Sequence, residues 1–382
     1  MGLKRGVVEV QFNWIFVLIA GAVVLMFFVN FAMDYREAGE TQIAAQILQD
    51  VGSLASSSLQ AAGTAQDVEF GGVDLEISCN ADTCTDYGCD QEFSFGGRDI
   101  MAPEWMDLEP IFSSKDIDSD HLILWTLPWQ APYHVTNFLY LTDPEHRFIF
   151  VCDEDCDLSG EVVSQVRDNI YLNEEYHDLD NGLTISDEGE NQHNFVFFMD
   201  PDEFDLDDFD GVADSVKERS NILFIDPDES NEDYGEVTFT SVDREGFTRL
   251  VGDNIEDKKD AVPYVGIQML IGAIYSDSKD DYVCNVRKAM LRYKDINNIY
   301  KDKSSELEDE CGDEDRDCYG CDEHYDDSDG SAQYYIEDLN QHYDVDFDDD
   351  FPISDAGSLH ETSEDLAGLN RNIYRQGCPR VY

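Results

Sequence analysis

The longest apolar run of the chain lies near its beginning. From Phe12 to Met33 no charged residue occurs, and the only strongly polar side chains are Asn13 and Asn30. Because about 20 apolar residues cross the hydrocarbon core of a bilayer, residues 12–33 predict a transmembrane helix. Basic residues precede this run and mainly acidic residues follow it: Lys4 and Arg5, then Asp34, Glu37 and Glu40. This bias predicts a single-pass protein of the cell membrane, with a basic cytoplasmic leader over 1–11 and an extracellular C-terminal domain.

Two different periodicities follow the apolar run. Apolar residues recur at helical spacing at Ile43, Ile47, Val51 and Leu54, which predicts an amphipathic stalk helix over 34–66. Residues 67–143 instead contain short alternating segments such as VDLEIS and EFSF, and the aromatic-rich stretch LILWTLPWQAPYHVTNFLYLTD. This region predicts β structure, with the aromatic residues packed in a core around a turn.

The middle of the chain, residues 144–260, predicts an α/β domain. Three apolar runs, RFIFVCD, NFVFFMD and NILFIDPD, are separated by segments with helical periodicity. Strands that alternate with helices imply crossover connections and a largely parallel sheet. The segment GEVTFTSV predicts an additional strand at the edge of this sheet. The predicted fold is therefore an α/β ectodomain, a largely parallel sheet with flanking helices, on a long N-terminal transmembrane helix.

The last region, residues 261–382, predicts helices and contains half of the cysteines. YVGIQMLIGAIY is too short to span a membrane and predicts a buried helix. Ser304 to Gly330 is acidic and rich in cysteine, which predicts an exposed loop tied by disulfides. SEDLAGLNRNIYRQ predicts a closing helix that Ser363 caps and that ends before Gly377.

The charge balance narrows the range of partners and environments. The chain has 85 acidic and 24 basic residues, a formal net charge of -61, and the acidic residues are spread over its whole length. No basic patch is present to neutralise phosphates, which excludes a nucleic-acid partner. A content of 42% apolar residues is ample for a packed core, so the acidity predicts a folded protein of a halophilic organism, in which salt screens the repulsion.

The ten cysteines predict disulfide bonds, because an even and clustered set in an extracytoplasmic chain is typical of them. The candidates are Cys79, Cys84, Cys89, Cys152, Cys156, Cys284, Cys311, Cys318, Cys321 and Cys378. Cys152 with Cys156 is the most specific predicted pair, and the remaining connectivity does not follow from spacing. An alternative interpretation is a zinc site, since three cysteines and a histidine are a legitimate tetrahedral ligand set; it would use Cys311, Cys318, Cys321 and His324.

Each of the three middle strands is followed by, or ends in, an aspartate. These are Asp153, Asp200 and Asp226, and Asp155 is a second aspartate after the first strand. Carboxylates at the C-terminal edge of a parallel sheet are a frequent place for Mg²⁺, and FIFVCDEDCD is similar to the strand and Asp-x-Asp pattern of phosphohydrolases. The pattern then requires threonine and finds Asp157, and acidic residues after strands are expected by chance in so acidic a chain. The enzyme interpretation is therefore the alternative, and no cofactor is predicted.

The N-terminus carries a resemblance to known families. Lys4-Arg5-Gly6 followed by an apolar helix resembles the leader of type IV pilins, which a peptidase would cut after Gly6 to leave Val7 first. Three longer stretches resemble a group of single-span surface proteins of small-genome archaea: VEVQFNWIFVLIAGAVVL, WTLPWQAPYHVTNFLYLT and IGAIYSDSKDDYVCNVRKAM. That group has no assigned activity, so the resemblance implies no functional residues.

Together these patterns predict a membrane-anchored extracytoplasmic protein with a structural, assembly or binding role. Its predicted partners are the membrane, through the N-terminal helix, and other surface or pilus subunits. A metal-dependent hydrolase that uses the strand-end aspartates is the alternative. A receptor for small solutes is a third hypothesis, which no motif supports.

Overall fold

The computed structural model describes part of the chain: residues 17–29, 52–53, 63, 65–69, 75–85, 87–95, 99–101, 109–114, 116–117, 119, 121–152, 173–178, 183–185, 192–201, 204, 211–217, 220–228, 231–240, 261–343 and 351–382. The chain divides into two compact units, Met1–Ser53 and Leu54–Tyr382. The predicted leader cleavage between Gly6 and Val7 lies outside the described residues.

The N-terminal helix corrects the predicted topology. Within residues 12–33, the structure describes helix α1 over 17–29, whereas a membrane span needs roughly 20 apolar residues. Within the described ranges, no helix has both the length and the apolar character to cross a bilayer. The prediction of a transmembrane helix over 12–33 is therefore wrong, and the single-pass membrane localisation and orientation that depended on it are wrong as well. Residues 65 and 66, the end of the predicted stalk helix over 34–66, belong to strand β1 (Ala65–Glu69) instead, and most of the remaining stretch lies outside the described residues.

The first part of the second unit contains two four-stranded sheets. Their orders are β1-β7-β8-β5 and β4-β3-β2-β6, and every neighbouring pair is antiparallel except β5 with β8. The strands are β1 (Ala65–Glu69), β2 (Leu75–Cys79), β3 (Gln91–Phe95), β4 (Asp99–Met101), β5 (Ile111–Ser113), β6 (Asp116–Ile117), β7 (His121–Gln130) and β8 (His134–Thr142). The aromatic stretch thus forms the β7–β8 hairpin, whose turn contains a cis peptide bond between Ala131 and Pro132.

A six-stranded sheet follows, in the order β10-β9-β11-β12-β13-β14. Its strands are β9 (Arg147–Cys152), β10 (Asn173–Asp178), β11 (His193–Phe198), β12 (Ser220–Asp228), β13 (Asn231–Thr240) and β14 (Ala261–Val265). The first four strands in this order are parallel, whereas β12, β13 and β14 pair antiparallel. The molecule therefore has mixed sheets rather than the largely parallel sheet that the sequence predicted. β13 is an inner strand rather than an edge, because β14 covers its free side.

The central strands are apolar along their whole length because both faces of the sheet are covered. In β9, Phe148 and Phe150 belong to the main core, whereas Ile149 and Val151 belong to a second cluster on the opposite face. Alternate side chains of a strand point to opposite faces, so a strand buried on both sides reads as a continuous apolar run. The same explanation holds for the Phe-rich strand β11.

The described residues of the second unit also form five α-helices: α2 (Asp214–Lys217), α3 (Gly266–Tyr275), α4 (Lys279–Cys311), α5 (Ala332–Leu339) and α6 (Ala356–Arg375). α3 is the buried helix that YVGIQMLIGAIY predicts, starting at Gly266 instead of Tyr264. α6 begins well before the predicted position, because Asp355 caps it, while the Ser363 hydroxyl donates to the Leu359 carbonyl inside the helix. α4 continues to Cys311, so the acidic loop between α4 and α5 is shorter than predicted.

Helix α3 joins two sheets into one core. It contacts β5, β7 and β8 on one side and β13 and β14 on the other. Trp125 Nε1 donates a hydrogen bond of 2.8 Å to the hydroxyl of Tyr275, and both side chains are buried. Burial raises the pKa of Tyr275 well above its usual value of 10.0, and the same holds for Tyr140 and Tyr282. This aromatic core fixes the position of the α3 N-terminus, which lines the cleft described below.

Candidate functional site

Only two of the four aspartates at the strand ends lie in the described part of the chain. Asp200 follows β11 and Asp226 lies in β12, on neighbouring parallel strands. Asp226 stands opposite Glu236 of β13, so its nearest cross-strand neighbour is another acidic residue. Asp153 and Asp155 lie outside the described residues. In the part of the chain that the structure describes, no three Asp, Glu or His ligand atoms come close enough to share a metal ion.

The predicted zinc ligands are engaged in other contacts. Cys311 forms a disulfide with Cys318, and Cys321 forms one with Cys378. The His324 Nε2 atom lies 2.8 Å from Oε1 of Gln376, within hydrogen-bonding distance. Because a disulfide sulfur is not a thiolate ligand, these residues do not offer the tetrahedral set that the zinc interpretation required.

The remaining cysteines form one local and one long-range bond. Cys84 pairs with Cys89 across a loop of the chain, and Cys79 pairs with Cys284 over a sequence separation of 205. Cys152 is buried at the end of β9, while Cys156 lies outside the described residues. The predicted pair of Cys152 with Cys156 therefore stays a prediction.

A cleft along helix α6 is one of the concave sites that the described residues form. It has a volume of about 300 Å³ and is lined by four separate elements: the β7–β8 turn, β13, the start of α3 and the middle of α6. We call it the α6 cleft and define it by Gln130, Ala131, Pro132, Asp233, Val265, Gly266, Ile267, Gln268, His360, Ser363, Glu364 and Ala367. α6 packs against β13 and β14, which holds its cleft-facing residues against the start of α3.

The start of α3 supplies the positive side of the cleft. Among the described residues, no side chain caps this helix, whose N-cap residue is Val265. Gly266 has a φ of 79°, a left-handed conformation that favours glycine and lets β14 turn directly into the helix. The first N–H groups of a helix have no partner within the helix and carry a partial positive charge. An anionic group of a ligand would therefore be stabilised at this end of the cleft.

His360 lies between the cleft and the neighbouring strand β13. Its side chain is 15% exposed, and its Nε2 atom is 3.9 Å from Oδ2 of Asp233, which is too long for a hydrogen bond. That buried nitrogen makes no hydrogen bond within the described residues, while the imidazole ring packs on Tyr234 at a centroid distance of 5.6 Å. His360 is thus held in place by packing and keeps a polar atom that a ligand or a water molecule could satisfy.

Carboxylates supply the negative side of the cleft and of two neighbouring grooves. Asp233 and Glu364 line the α6 cleft itself. A groove of about 580 Å³ lies along the first turns of α6 and contains Asp228, Glu236, Asp355 and Glu361. Another of about 570 Å³ lies along its later turns and contains Glu364 and Asp365 together with Arg371. The surface around α6 therefore favours cationic groups, except at the start of α3.

Sequence patterns did not indicate this cleft. Its residues come from positions more than 200 apart in the chain, and none of them belongs to a recognisable motif. Two features of the sequence were informative in hindsight. One is the glycine at the junction of β14 and α3, and the other is a histidine within an otherwise acidic helical stretch at Glu361, Glu364 and Asp365.

Comparison with known proteins identifies no relative that could supply a function. No protein-family model, no curated protein and no solved structure matches this chain. The function therefore has to be inferred from the chemistry of the described residues.

Proposed function

We propose that this chain has a structural or binding role rather than a catalytic one, and that it binds a small zwitterionic solute in the α6 cleft. The observation that carries the proposal is that an uncapped helix N-terminus and two carboxylates line the same cavity. A solute with one carboxylate and one ammonium group complements both, because each charge meets a group of opposite sign.

The size of the cleft agrees with a small ligand. Small-molecule sites in proteins typically enclose roughly 300–1,000 Å³, and the α6 cleft has about 300 Å³. The unpartnered Nε2 atom of His360 and the side-chain amides of Gln130 and Gln268 add hydrogen-bonding groups that can fix the orientation of the solute.

Other features agree with a binding role. Four disulfides in the described part of the chain favour an oxidising environment. The net charge of -61 opposes binding to nucleic acid. Association with other surface subunits stays a proposal based on residues 1–16, which the structure does not describe.

The hydrolase alternative has less support. It needs a convergent set of carboxylates, and the described residues contain none with metal-ligand spacing. Asp153 and Asp155, on which it mainly depends, lie outside those residues. Magnesium-dependent turnover of a phosphate ester by the wild-type chain, abolished by Asp153→Asn, would establish the hydrolase in place of the binding role.

The binding proposal is tested by calorimetric titration with glycine and with its two halves, acetate and methylamine. We expect glycine to bind in a saturable manner and each half to bind at least tenfold more weakly, which corresponds to about 1.4 kcal/mol for each lost contact. Asp233→Asn should weaken glycine binding by a similar factor. Glu361→Gln is the matched control, because Glu361 lies in the same helix but lines the neighbouring groove.

Two results would contradict the proposal. One is equal binding of glycine, acetate and methylamine, which would show that the cleft does not recognise both charges together. The other is an equal effect of Asp233→Asn and Glu361→Gln, which would indicate a general effect of surface charge instead of a defined site.

A further inference from the structure

Two disulfides of the second unit lie against each other beside the end of β2. Cys84 is bonded to Cys89, and Cys79 is bonded to Cys284 of α4. The Sγ atoms of Cys84, Cys89 and Cys284 all lie within 4.8 Å of one another. Both sulfur atoms of the first disulfide are therefore close to a sulfur atom of the second. We call these four residues the cysteine cluster.

The cysteine cluster is accessible to solvent mainly at one sulfur. Cys84 is partly exposed, whereas the other three cysteines are buried. In thiol–disulfide exchange, a thiolate attacks one sulfur of a disulfide and the other sulfur leaves as a thiolate. A thiol in solution would therefore attack at Cys84 and release Cys89, which is fully buried and has Cys284 as its neighbour.

Contacts other than the disulfide hold Cys89 opposite Cys284. The Thr85 N–H donates to the Gly88 carbonyl at 2.8 Å, and the Gly88 N–H donates to the Thr85 carbonyl at 3.1 Å. The ends of this short loop thus stay paired when the bond between Cys84 and Cys89 is broken. The Cys89 Sγ atom also lies 3.7 Å from the Cys284 carbonyl oxygen, which keeps it next to the second disulfide.

Two cationic side chains of α4 lie near the cysteine cluster. Arg287 and Lys288 are buried and follow Cys284 by three and four residues, which places them on the same face of the helix. Arg287 Nη1 donates to the Ala81 carbonyl at 2.8 Å, and Ala81 packs against the cluster. Asp281 of α4 opposes these charges, since it accepts a backbone hydrogen bond from the cluster. Nearby cations stabilise the thiolates through which exchange proceeds.

We propose that the cysteine cluster captures a small-molecule thiol as a mixed disulfide at Cys84. The thiolate of the small molecule bonds to Cys84, and the bond from Cys84 to Cys89 breaks. The Cys89 thiolate then bonds to Cys284, and Cys79 leaves and takes up the proton that the small thiol lost. The sum is the addition of one thiol without net oxidation or reduction. Because Cys89 is now bonded to Cys284, it can no longer release the captured thiol.

The disulfide between Cys311 and Cys318 provides a comparison within the same chain. It also closes a short loop and joins a buried sulfur, that of Cys311, to a partly exposed one. Among the described residues, this pair has no third sulfur in a group with the spacing of the cysteine cluster. A mixed disulfide at Cys318 would leave Cys311 free to attack it and restore the original bond. Of the two sites, we therefore expect stable capture at Cys84 alone.

The experiment incubates the folded full chain with 2-mercaptoethanol. The reaction is stopped by denaturation with N-ethylmaleimide at mildly acidic pH, which blocks free thiols before they exchange further. Mass spectrometry without reductant then maps the bonds. We expect 2-mercaptoethanol on Cys84, a new bond between Cys89 and Cys284, and N-ethylmaleimide on Cys79, with the comparison disulfide unchanged.

A pair of variants tests the internal step without any added thiol. Cys84→Ser leaves Cys89 as a free thiol beside an intact disulfide, so we expect mainly the bond from Cys89 to Cys284 and N-ethylmaleimide on Cys79. Cys318→Ser is the matched control: it leaves Cys311 free, and the bond between Cys321 and Cys378 should stay unchanged. Near-ultraviolet circular dichroism shows whether each variant is folded, and the wild-type experiment needs neither variant.

Three outcomes would overturn the proposal. The first is the absence of a mixed disulfide at Cys84, and the second is equal accumulation at Cys84 and Cys318. The third is a mixed disulfide at Cys84 with N-ethylmaleimide on Cys89 and an intact bond between Cys79 and Cys284, which would show that the internal exchange does not occur. The test does not involve the α6 cleft, so its failure and failure of the solute-binding proposal can be distinguished.

Discussion

At the scale of single residues, Asp355 determines where helix α6 begins. It occupies the N-cap position with extended backbone angles, and its Oδ1 accepts a hydrogen bond of 2.9 Å from the Ser358 N–H. Its second oxygen accepts a bond of 2.9 Å from the Ser358 hydroxyl. The backbone hydrogen bond from Ser358 is the main reason why the pKa of Asp355 lies below its usual value of 3.8. Because α6 supplies His360 and Glu364, this cap also positions the cleft.

We expect Asp355→Ala to lower the free energy of unfolding by about 1 kcal/mol at neutral pH, as is typical for loss of an N-cap. The folded-state pKa is depressed, so the contribution of the charged cap is fully present above about pH 4 and is lost as the pH falls through the folded-state pKa. Urea unfolding of wild type and variant should therefore give a smaller difference in acid than at pH 7. Asp355→Asn is the control, because asparagine also caps helices and should cost only a few tenths of a kcal/mol. An Asp355→Ala difference that did not decrease in acid would contradict this explanation.

Single residues also show where sequence reasoning reached its limit. The apolar stripe of the last helix was visible, and so was Gly377, which follows the helix with a φ of 86°. The cap at Asp355 was missed, because the segment before Ser363 has few apolar residues and contains Gly357. In the structure, Gly357 lies close to the ring of Tyr234, about 3.2 Å from where a Cβ would stand. That long-range contact has no counterpart in the local sequence.

At the scale of elements, the close approach of α3 to β5 depends on a glycine inside a helix. A Cβ at Gly272 would stand 2.8 to 2.9 Å from carbon atoms of the Phe112 ring, which is closer than carbon atoms approach in packed interiors. Gly368, inside α6, has space: its nearest neighbour would be Arg371 Nη2 at 3.9 Å. The two glycines therefore form a matched pair that separates packing from helix propensity.

We expect Gly368→Ala to raise the free energy of unfolding by about 0.5–1 kcal/mol, because alanine restricts the unfolded chain and favours a helix. Gly272→Ala should bring the same increase in helix propensity, but displacement of Phe112 in a closely packed core lowers the free energy of unfolding by about 1–3 kcal/mol. The net effect at Gly272 should therefore be destabilising. Denaturant unfolding midpoints of both variants provide the measurement. Equal stabilisation by both substitutions would show that the α3–β5 contact is loose.

The positions of strands and helices could be predicted where a local pattern of apolar residues marks them. The pairing of strands that are distant in the sequence could not. The three apolar runs of the middle region correctly predicted strands β9, β11 and β12, and the uncharged run near residue 270 correctly predicted helix α3. The order of the six strands could not be predicted from the sequence. For example, β13 and β14 pair antiparallel although residues 241–260 separate them in the chain. Strand partners are set by long-range contacts, which the alternation of apolar and polar residues does not encode.

At the scale of the whole molecule, long-range bonds bring distant parts together. The Cys79–Cys284 disulfide joins the β2–β3 region to α4, a connection that the spacing of the cysteines did not indicate. The α6 cleft likewise combines the β7–β8 turn with α6, although their residues lie more than 200 positions apart in the sequence. Composition indicated a folded acidic protein with disulfides. The location of its candidate sites required the three-dimensional arrangement.

The net charge of -61 has a direct consequence for stability. The folded unit Leu54–Tyr382 holds its carboxylates closer together than the unfolded chain does, so their repulsion opposes folding. At about 0.01 M ionic strength the screening length is near 30 Å, and at about 1 M it is near 3 Å. Carboxylates across the domain therefore repel one another at low salt and are largely screened at high salt. Disulfides restrict the unfolded chain but leave this repulsion unchanged.

We therefore expect this unit to be folded in molar KCl and to lose its near-ultraviolet circular dichroism on dialysis to low salt, with the disulfides intact. The signal reports on buried aromatic side chains such as Trp129 and Tyr275, which need fixed packing to be observed. Sucrose is the control, because it favours burial by exclusion from the surface but does not screen charge. KCl should restore the signal much more effectively than sucrose. A melting temperature that stays constant between about 0.05 M and about 3 M salt would mean that the repulsion is compensated within the fold, and the acidity would then not be an adaptation to salt.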